Sequence, residues 1–255
     1  AGDRAAELTY DVPHTRLRMY GNWYGGGGTE THRFAVGPWR APGANMNVFA
    51  RESHIDVLAA AAKVDPLEFR LKNMGDERMS RVLKELAEKA GWTPEPGPSG
   101  RGRGIACGVD SGTYAALVAE VSVDRARGTV TVDRVVAAQD MGVVINPDGA
   151  KMQMEGCVTM GLGYVLSEEL RFDGGKMLDD NFDTYELPRF SWLPRIETVL
   201  VKNDDLAPQG GGEPAIIPRG GAIANAVFDA SGERSTRLPM TAERLKAALG
   251  KRRAS

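Results

Sequence analysis

The sequence holds little of what most metal, redox and nucleotide sites are built from. Only two of its 255 residues are cysteine, Cys107 and Cys157, 50 positions apart and without a C-x-x-C pair. That spacing excludes a structural zinc or a cysteine-ligated iron–sulfur cluster within this chain. Both cysteines stand among apolar or small residues, which reads as buried free thiols. The three histidines, His14, His32 and His54, have no ligand spacing such as H-x-x-x-H and read as structural or exposed. There is no Walker loop and no G-x-S-x-G elbow, and the glycine runs lack the strand–helix setting of a dinucleotide fingerprint. No apolar run reaches 18 residues, so no membrane span is expected. A net charge of -2 and a pI near 6.0 leave no broad positive field for nucleic acid. The terminal Lys251-Arg252-Arg253 reads as a solvated tail.

What is present belongs to a folded chain, 42% hydrophobic and 26% charged, long enough for one large domain or two small ones. Residues 1–42 show no helical period and carry Gly25-Gly26-Gly27-Gly28, which reads as strand and loop. From Asn45 to Ala61 the residues Val48, Phe49, Ile55, Leu58 and Ala59 recur at helical spacing, with Arg51, Glu52 and Asp56 between them. Asp65-Pro66 opens a second helix as N-cap and first-turn proline, and Arg81–Ala90 is a third. The stretch Thr93–Gly104, rich in Pro, Gly and Arg, marks a boundary between a first part, 1–95, and a second, 96–255. Beyond it, Ala115–Val123 and Thr129–Ala138 predict a hairpin turning at Arg125–Gly128. Asn146-Pro147 starts a helix to about Leu166, Asp173-Gly174-Gly175 signals a second hairpin, and Ile196–Lys202 is a strand. Helices follow at Ile223–Ala230 and Ala242–Leu249. Without regular βαβ alternation the fold class is α+β, with mixed sheets and packed helices.

Three stretches could carry chemistry. In Gln209-Gly210-Gly211-Gly212-Glu213-Pro214, consecutive glycines permit positive φ and close approach of a ligand, and Pro214 biases Glu213 toward extended backbone. A carboxylate held there suits a general base, although by spacing alone a surface turn with a solvated Glu is the more economical reading. The helix with Gln153, Glu155, Gly156, Gly161 and Gly163 spends three glycines in its interior, each costing about 1 kcal/mol relative to Ala. Close packing against another backbone, or room for a cofactor, would justify them. Its Met152, Met154 and Met160 read as core filler. Gly37-Pro38-Trp39-Arg40-Ala41-Pro42-Gly43 is a stiff loop into a helix, where free amides and Arg40 could meet an anion, or simply a solvent-exposed entry.

The order of these signals resembles a known family. Gly37-Pro38-Trp39-Arg40, then Phe49-Ala50-Arg51-Glu52-Ser53-His54-Ile55-Asp56, is similar to the cofactor-contacting loop and first helix of the large subunit of xanthine dehydrogenase/aldehyde oxidase-type molybdenum hydroxylases. Asp65-Pro66-Leu67-Glu68-Phe69-Arg70 resembles the next helix start. Gln139-Asp140-Met141-Gly142, Asn146-Pro147-Asp148, Gln153-Met154-Glu155-Gly156, Gly161-Leu162-Gly163 and Gly212-Glu213-Pro214 follow in the family's order, with Ala224-Asn225-Ala226-Val227-Phe228 and Leu238-Pro239 behind them. The resemblance covers most of residues 30–249. The hairpin that runs directly into Gln139 is most similar to the branch formed by the β-subunits of isoquinoline 1-oxidoreductase.

The resemblance implies an enzyme that hydroxylates an electron-poor carbon of an N-heteroaromatic or aldehyde with oxygen from water, Glu213 being the catalytic base. It implies a molybdopterin dinucleotide, in bacteria usually the cytosine form, contacted by Arg40 near the molybdenum, by Gln153 and by Gly212, with no side chain ligating the metal. The family's Gly-Gly-Phe-Gly loop and second glutamine motif are not found, so the cofactor would be shared with residues outside this chain, in the remainder of the large subunit or a second polypeptide. A small subunit with [2Fe-2S] clusters and a small-molecule substrate are the other implied partners. The compartment stays open between bacterial cytoplasm and periplasm. The competing expectation is a non-catalytic docking module, or a split-subunit fragment inactive alone.

Overall fold

A computed structural model describes residues 4–18, 38–93 and 99–251. The glycine run 25–28, His32, Gly37 and the arginines of the C-terminal tail lie outside the described residues. Among the described residues three helices come first: α1 (Ala44–Ala62), α2 (Pro66–Lys72) and α3 (Glu77–Ala90). Asp65 caps α2, its carboxylate accepting from the amides of Leu67 (2.9 Å) and Glu68 (3.0 Å). Asp76 does the same for α3, which therefore begins four residues before the expected Arg81.

Strands β1 (Arg101–Asp110), β2 (Thr113–Asp124) and β3 (Thr129–Asp140) form an antiparallel meander, and β6 (Arg195–Leu200) joins β3 in parallel. The order is β1-β2-β3-β6. Between β3 and β6 lie α4 (Pro147–Leu166) and the two-residue strands β4 (Phe172–Asp173) and β5 (Lys176–Met177). Helices α5 (Arg219–Ser231) and α6 (Ala242–Lys251) close the chain. The mixed sheet with packed helices is the expected α+β class.

Strand β1 corrects the expectation, which read Thr93–Gly104 as a boundary stretch and placed no strand between it and Ala115. Gly102 and Gly104 alternate with arginine in a pattern that looks like a linker. A Cβ at either would collide with the backbone of α5, at Ala226 and Ala222 respectively. The glycines let a helix lie directly on the strand. Alternation along β2 sends Leu117, Ala119 and Val121 to one face, where α4 and α5 pack, and Ala116 and Val118 to the other, beneath α3. Covering both faces buries nearly the whole strand.

Helix α1 departs from its expected amphipathic pattern. Glu52 and Asp56 are buried while Val57 and Leu58 are exposed. Glu52 accepts from the Tyr10 hydroxyl, from Arg70 Nε and from the Cys107 amide (3.0, 3.0 and 3.1 Å). Asp56 pairs with Arg234 at 2.6 Å. Of the three methionines of α4, Met154 is core and Met160 packs against it, but Met152 is exposed.

Candidate active site

The site forms where the loop before α1, the middle of α4 and the glycine loop 209–213 meet. Arg40 precedes α1, its carbonyl held by Asn45 Nδ2 at 2.7 Å. Its guanidinium crosses to the glycine loop: Nε donates to the Gly212 carbonyl at 2.9 Å, and Nη2 donates to the same carbonyl and to Gln153 Oε1 at 2.8 Å. Trp39 stands edge-on to Tyr164 of α4, ring centres 5.6 Å apart, fixing the loop against that helix. Gln153 is exposed on the first turns of α4, which Asn146 caps by accepting from the Gly149 amide at 2.9 Å.

The glycine loop is anchored atom by atom. The Gly210 carbonyl accepts from Thr113 Oγ1 (2.7 Å), that of Gly211 from Gln139 Nε2 (3.3 Å), and that of Gly212 from Arg40. The amides of Gln209 and Gly210 donate to the carbonyls of Met141 and Ser111. Two expectations are corrected here. None of Gly210, Gly211 and Gly212 has positive φ; their lack of side chains matters for space, since a Cβ on Gly211 would strike Met141 and one on Gly210 would press on Ser111. Glu213 is not extended despite Pro214. It has φ -110 and ψ -35, because its carbonyl accepts from Ile216 to open the 3-10 turn Pro214–Ile216.

Glu213 is thereby turned toward two donors. The Ala41 amide donates to Oε1 at 3.2 Å, and Arg4 Nη2 pairs with Oε2. Arg4 also forks onto Asp110 (Nε to Oδ1 2.6 Å, Nη2 to Oδ2 2.8 Å) and reaches Ser111 Oγ at 2.9 Å. Burial works against its charge, but the bonds to Asp110 and Glu213 outweigh it and raise the Arg4 pKa. Beneath, the Cys157 thiol donates to the Gly212 carbonyl at 3.4 Å; burial pushes this thiol up, against the fields of Arg40 and Arg219.

All four residues singled out in the sequence, Arg40, Gln153, Gly212 and Glu213, thus lie together. Arg4, Asp110 and Gln139 complete the surroundings; Arg4 and Asp110 were missed, and Gln139 was read as part of a motif but not as a residue of the site. Arg4 is 209 residues from Glu213 and carries no local signal. His14 and His54 are exposed and stand apart.

The donors describe what the site can hold. Arg40 and the Gln153 side-chain amide suit an anionic or carbonyl-rich organic group, while the Ala41 amide is taken by Glu213. Among the described residues no three His, Cys, Asp or Glu side chains are placed to hold a metal, so a metal here would come on ligands of its own. Gln139 Oε1, under the loop, is buried without a donor, and a Cβ on Gly212 would meet nothing closer than Gln153 Oε1 at 3.7 Å. Room and donors therefore fit a polar cofactor lying over Gly212.

Fold and site together set Arg40, Gln153 and a glycine loop beside the Glu213 carboxylate. A family model described as molybdopterin cofactor-binding domain matches residues 49–194, and a second of the same description matches residues 4–74. The chain belongs to the molybdopterin cofactor-binding domain family. It is similar to a subunit of nicotinate dehydrogenase from Pseudomonas putida, 38% identical over 266 residues, which cover 98% of this chain and 22% of that one. It is also similar to the β-subunit of isoquinoline 1-oxidoreductase from Brevundimonas diminuta, 33% identical, covering 91% of this chain and 29% of the relative. The chain thus spans less than a third of the curated relatives it matches. Among solved structures, quinoline 2-oxidoreductase from Pseudomonas putida 86 superposes with a TM-score of 0.75 over 85% of this chain and 53% of that one; at 14% identity the likeness is one of fold. The family read from the ordered motifs is the one these matches show.

Proposed function

We propose that the chain is part of the catalytic subunit of a molybdenum hydroxylase that oxidises a ring carbon of an N-heteroaromatic or an aldehyde carbon with water-derived oxygen, and that Glu213 is its base. The observation that carries this is the convergence of Arg40, Gln153 and the adjacent Gly212 carbonyl and Glu213 carboxylate from three separate segments. A molybdopterin dinucleotide, of the cytosine form by resemblance, supplies the redox chemistry when bound. The chain's own residues do the rest. Arg40 and Gln153 would hold the polar edge of that group. The Ala41 amide orients Glu213 so that its carboxylate can accept a proton. Arg4 fixes the second carboxylate oxygen and keeps a positive charge at the edge of the site.

The remainder of the large subunit or a second polypeptide would complete the cofactor's contacts, and a small [2Fe-2S] subunit would carry the electrons away. Similarity to subunits of a nicotinate dehydrogenase and an isoquinoline oxidoreductase favours a nitrogen heterocycle as substrate. We place the division of the domain at residues 1–95 and 96–255, with the base on the second part. Glu213→Gln in the assembled enzyme is expected to lower kcat by about three orders of magnitude with molybdenum content unchanged. Full turnover in that variant would refute the base, and would favour a docking role for the chain.

A further inference from the structure

Arg219, the first residue of α5, lies wholly out of solvent. Its Nη1 donates to the Cys157 carbonyl on α4, while Nε and Nη2 have no partner among the described residues. It forms no salt bridge with a carboxylate among the described residues. Burial pulls its pKa down to about 10, which still leaves it cationic at neutral pH. A buried cation with bare donors is unfavourable in isolation, yet the fold makes space for it: a Cβ on Gly161 would collide with the guanidinium. This is the reason one glycine of α4 exists, and it is neither backbone packing nor cofactor room.

The position of this charge points to its use. Arg40 bonds Gln153 and lies 3.6 Å from the Cβ position of Gly156, and Arg219 bonds the next residue, Cys157. The Cys157 thiol, held on the Gly212 carbonyl, feels both cations. The partners of Arg40 are the neutral Gly212 and Gln153. Two guanidinium groups thus sit by one turn of α4 with no carboxylate bonded to either among the described residues; the Glu213 carboxylate beside them is bonded to Arg4 and to the Ala41 amide, and its field also reaches the Cys157 thiol.

We propose that Arg219 is a positioning residue that adds positive charge for an anion held at the Arg40–Gln153 edge of the site, without touching it. On the functional reading above, on which this rests, the anion is the phosphate-bearing cofactor; free phosphate presents the same chemistry and serves as probe. Attraction across poorly solvated protein falls slowly with distance, so a charge one residue behind the contact is felt.

The test is inorganic phosphate binding to the cofactor-free protein, by calorimetric titration at constant ionic strength, together with thermal unfolding in chloride. Arg219→Met is expected to bind phosphate about tenfold more weakly than the native protein, and Arg219→Lys within about threefold. Arg219→Met should also unfold at the same or a higher temperature in chloride, because the bare donors are gone. A strut would behave oppositely: lower unfolding temperature with undiminished phosphate affinity, which would overturn the proposal. Absence of phosphate binding by the native protein would overturn it too. If Arg219→Met does not fold, Arg219→Gln replaces it; affinity lost in Gln and kept in Lys supports the charge, and equal affinity in both refutes it. Cofactor retention in the holoenzyme, read as molybdenum per protein, should fall in the same order and separates cofactor from free phosphate as the natural ligand. No arm measures turnover, so failure of the Glu213 assignment would be seen separately.

Discussion

At the scale of single residues, Glu52 anchors a wholly buried cluster of polar and charged groups. It has no exposed surface, and neither has its partner Arg70. Around it Tyr10 titrates well above its ordinary value, chiefly through burial, and burial pushes the Cys107 thiol up to about 12. Removing the carboxylate in Glu52→Ala would leave Arg70 with Asp56 at 3.8 Å as its nearest acid. The expected loss is about 3–5 kcal/mol, read as a lower urea midpoint at unchanged slope; a loss within experimental error would show the cluster to be dispensable. None of this was legible in the sequence. Periodicity assigns a charged residue to solvent, and it cannot see that Tyr10, Arg70 and Cys107 come from three distant segments to satisfy this one. The same blindness hid Arg4 and Arg219, whereas Asp65 and Asn146 were readable because a cap bonds to amides two or three residues away.

At the scale of elements, what was legible depended on whether the pattern or the neighbour decides. Helices α2 and α4, the β2–β3 hairpin and β6 follow from local caps, turn residues and alternation, and each lies where it was expected to within a few residues. Strand β1 does not, because its glycines answer to α5 and not to their own chain. Gly104→Ala is accordingly expected to cost about 3 kcal/mol, since the added methyl meets the Ala222 carbonyl and backbone cannot step aside as a side chain can. Gly156→Ala is the control: its Cβ would have only Arg40 Nη1 at 3.6 Å, and helix propensity favours the change by about 1 kcal/mol. Thermal unfolding of the two variants should differ in sign. Equal effects would mean that α5 can slide off β1.

At the scale of the whole molecule, the site depends on one buried carboxylate that sets the glycine loop against the sheet. Motif order found the four residues proposed for the site, but not what holds them in place. Asp140 ends β3 and accepts from Arg78 (2.8 and 2.9 Å), Arg81 (3.0 Å), Asn203 Nδ2 (3.0 Å) and the Gly142 amide (3.0 Å). These bonds join α3, the end of the sheet and the segment after β6; the next residue, Met141, then accepts from Gln209 at the start of the glycine loop. Burial opposes the charge, but the bonds from Arg78, Gly142, Asn203 and Arg81 outweigh it and lower the Asp140 pKa to about 2. An unfolded aspartate titrates near 3.9. The depressed carboxyl therefore stabilises the fold in full above about pH 4, and that contribution is lost as pH falls through 4 toward 2. After allowance for screening it is on the order of 1–2 kcal/mol. Asp140→Asn should lower Tm by a few degrees at neutral pH, and the gap from the native protein should narrow steadily below pH 4. Because the glycine loop hangs from the same hub, the variant should also bind phosphate more weakly at neutral pH, although Asp140 touches none of the residues proposed for the site. A pH-independent Tm gap would assign the loss to packing and not to charge.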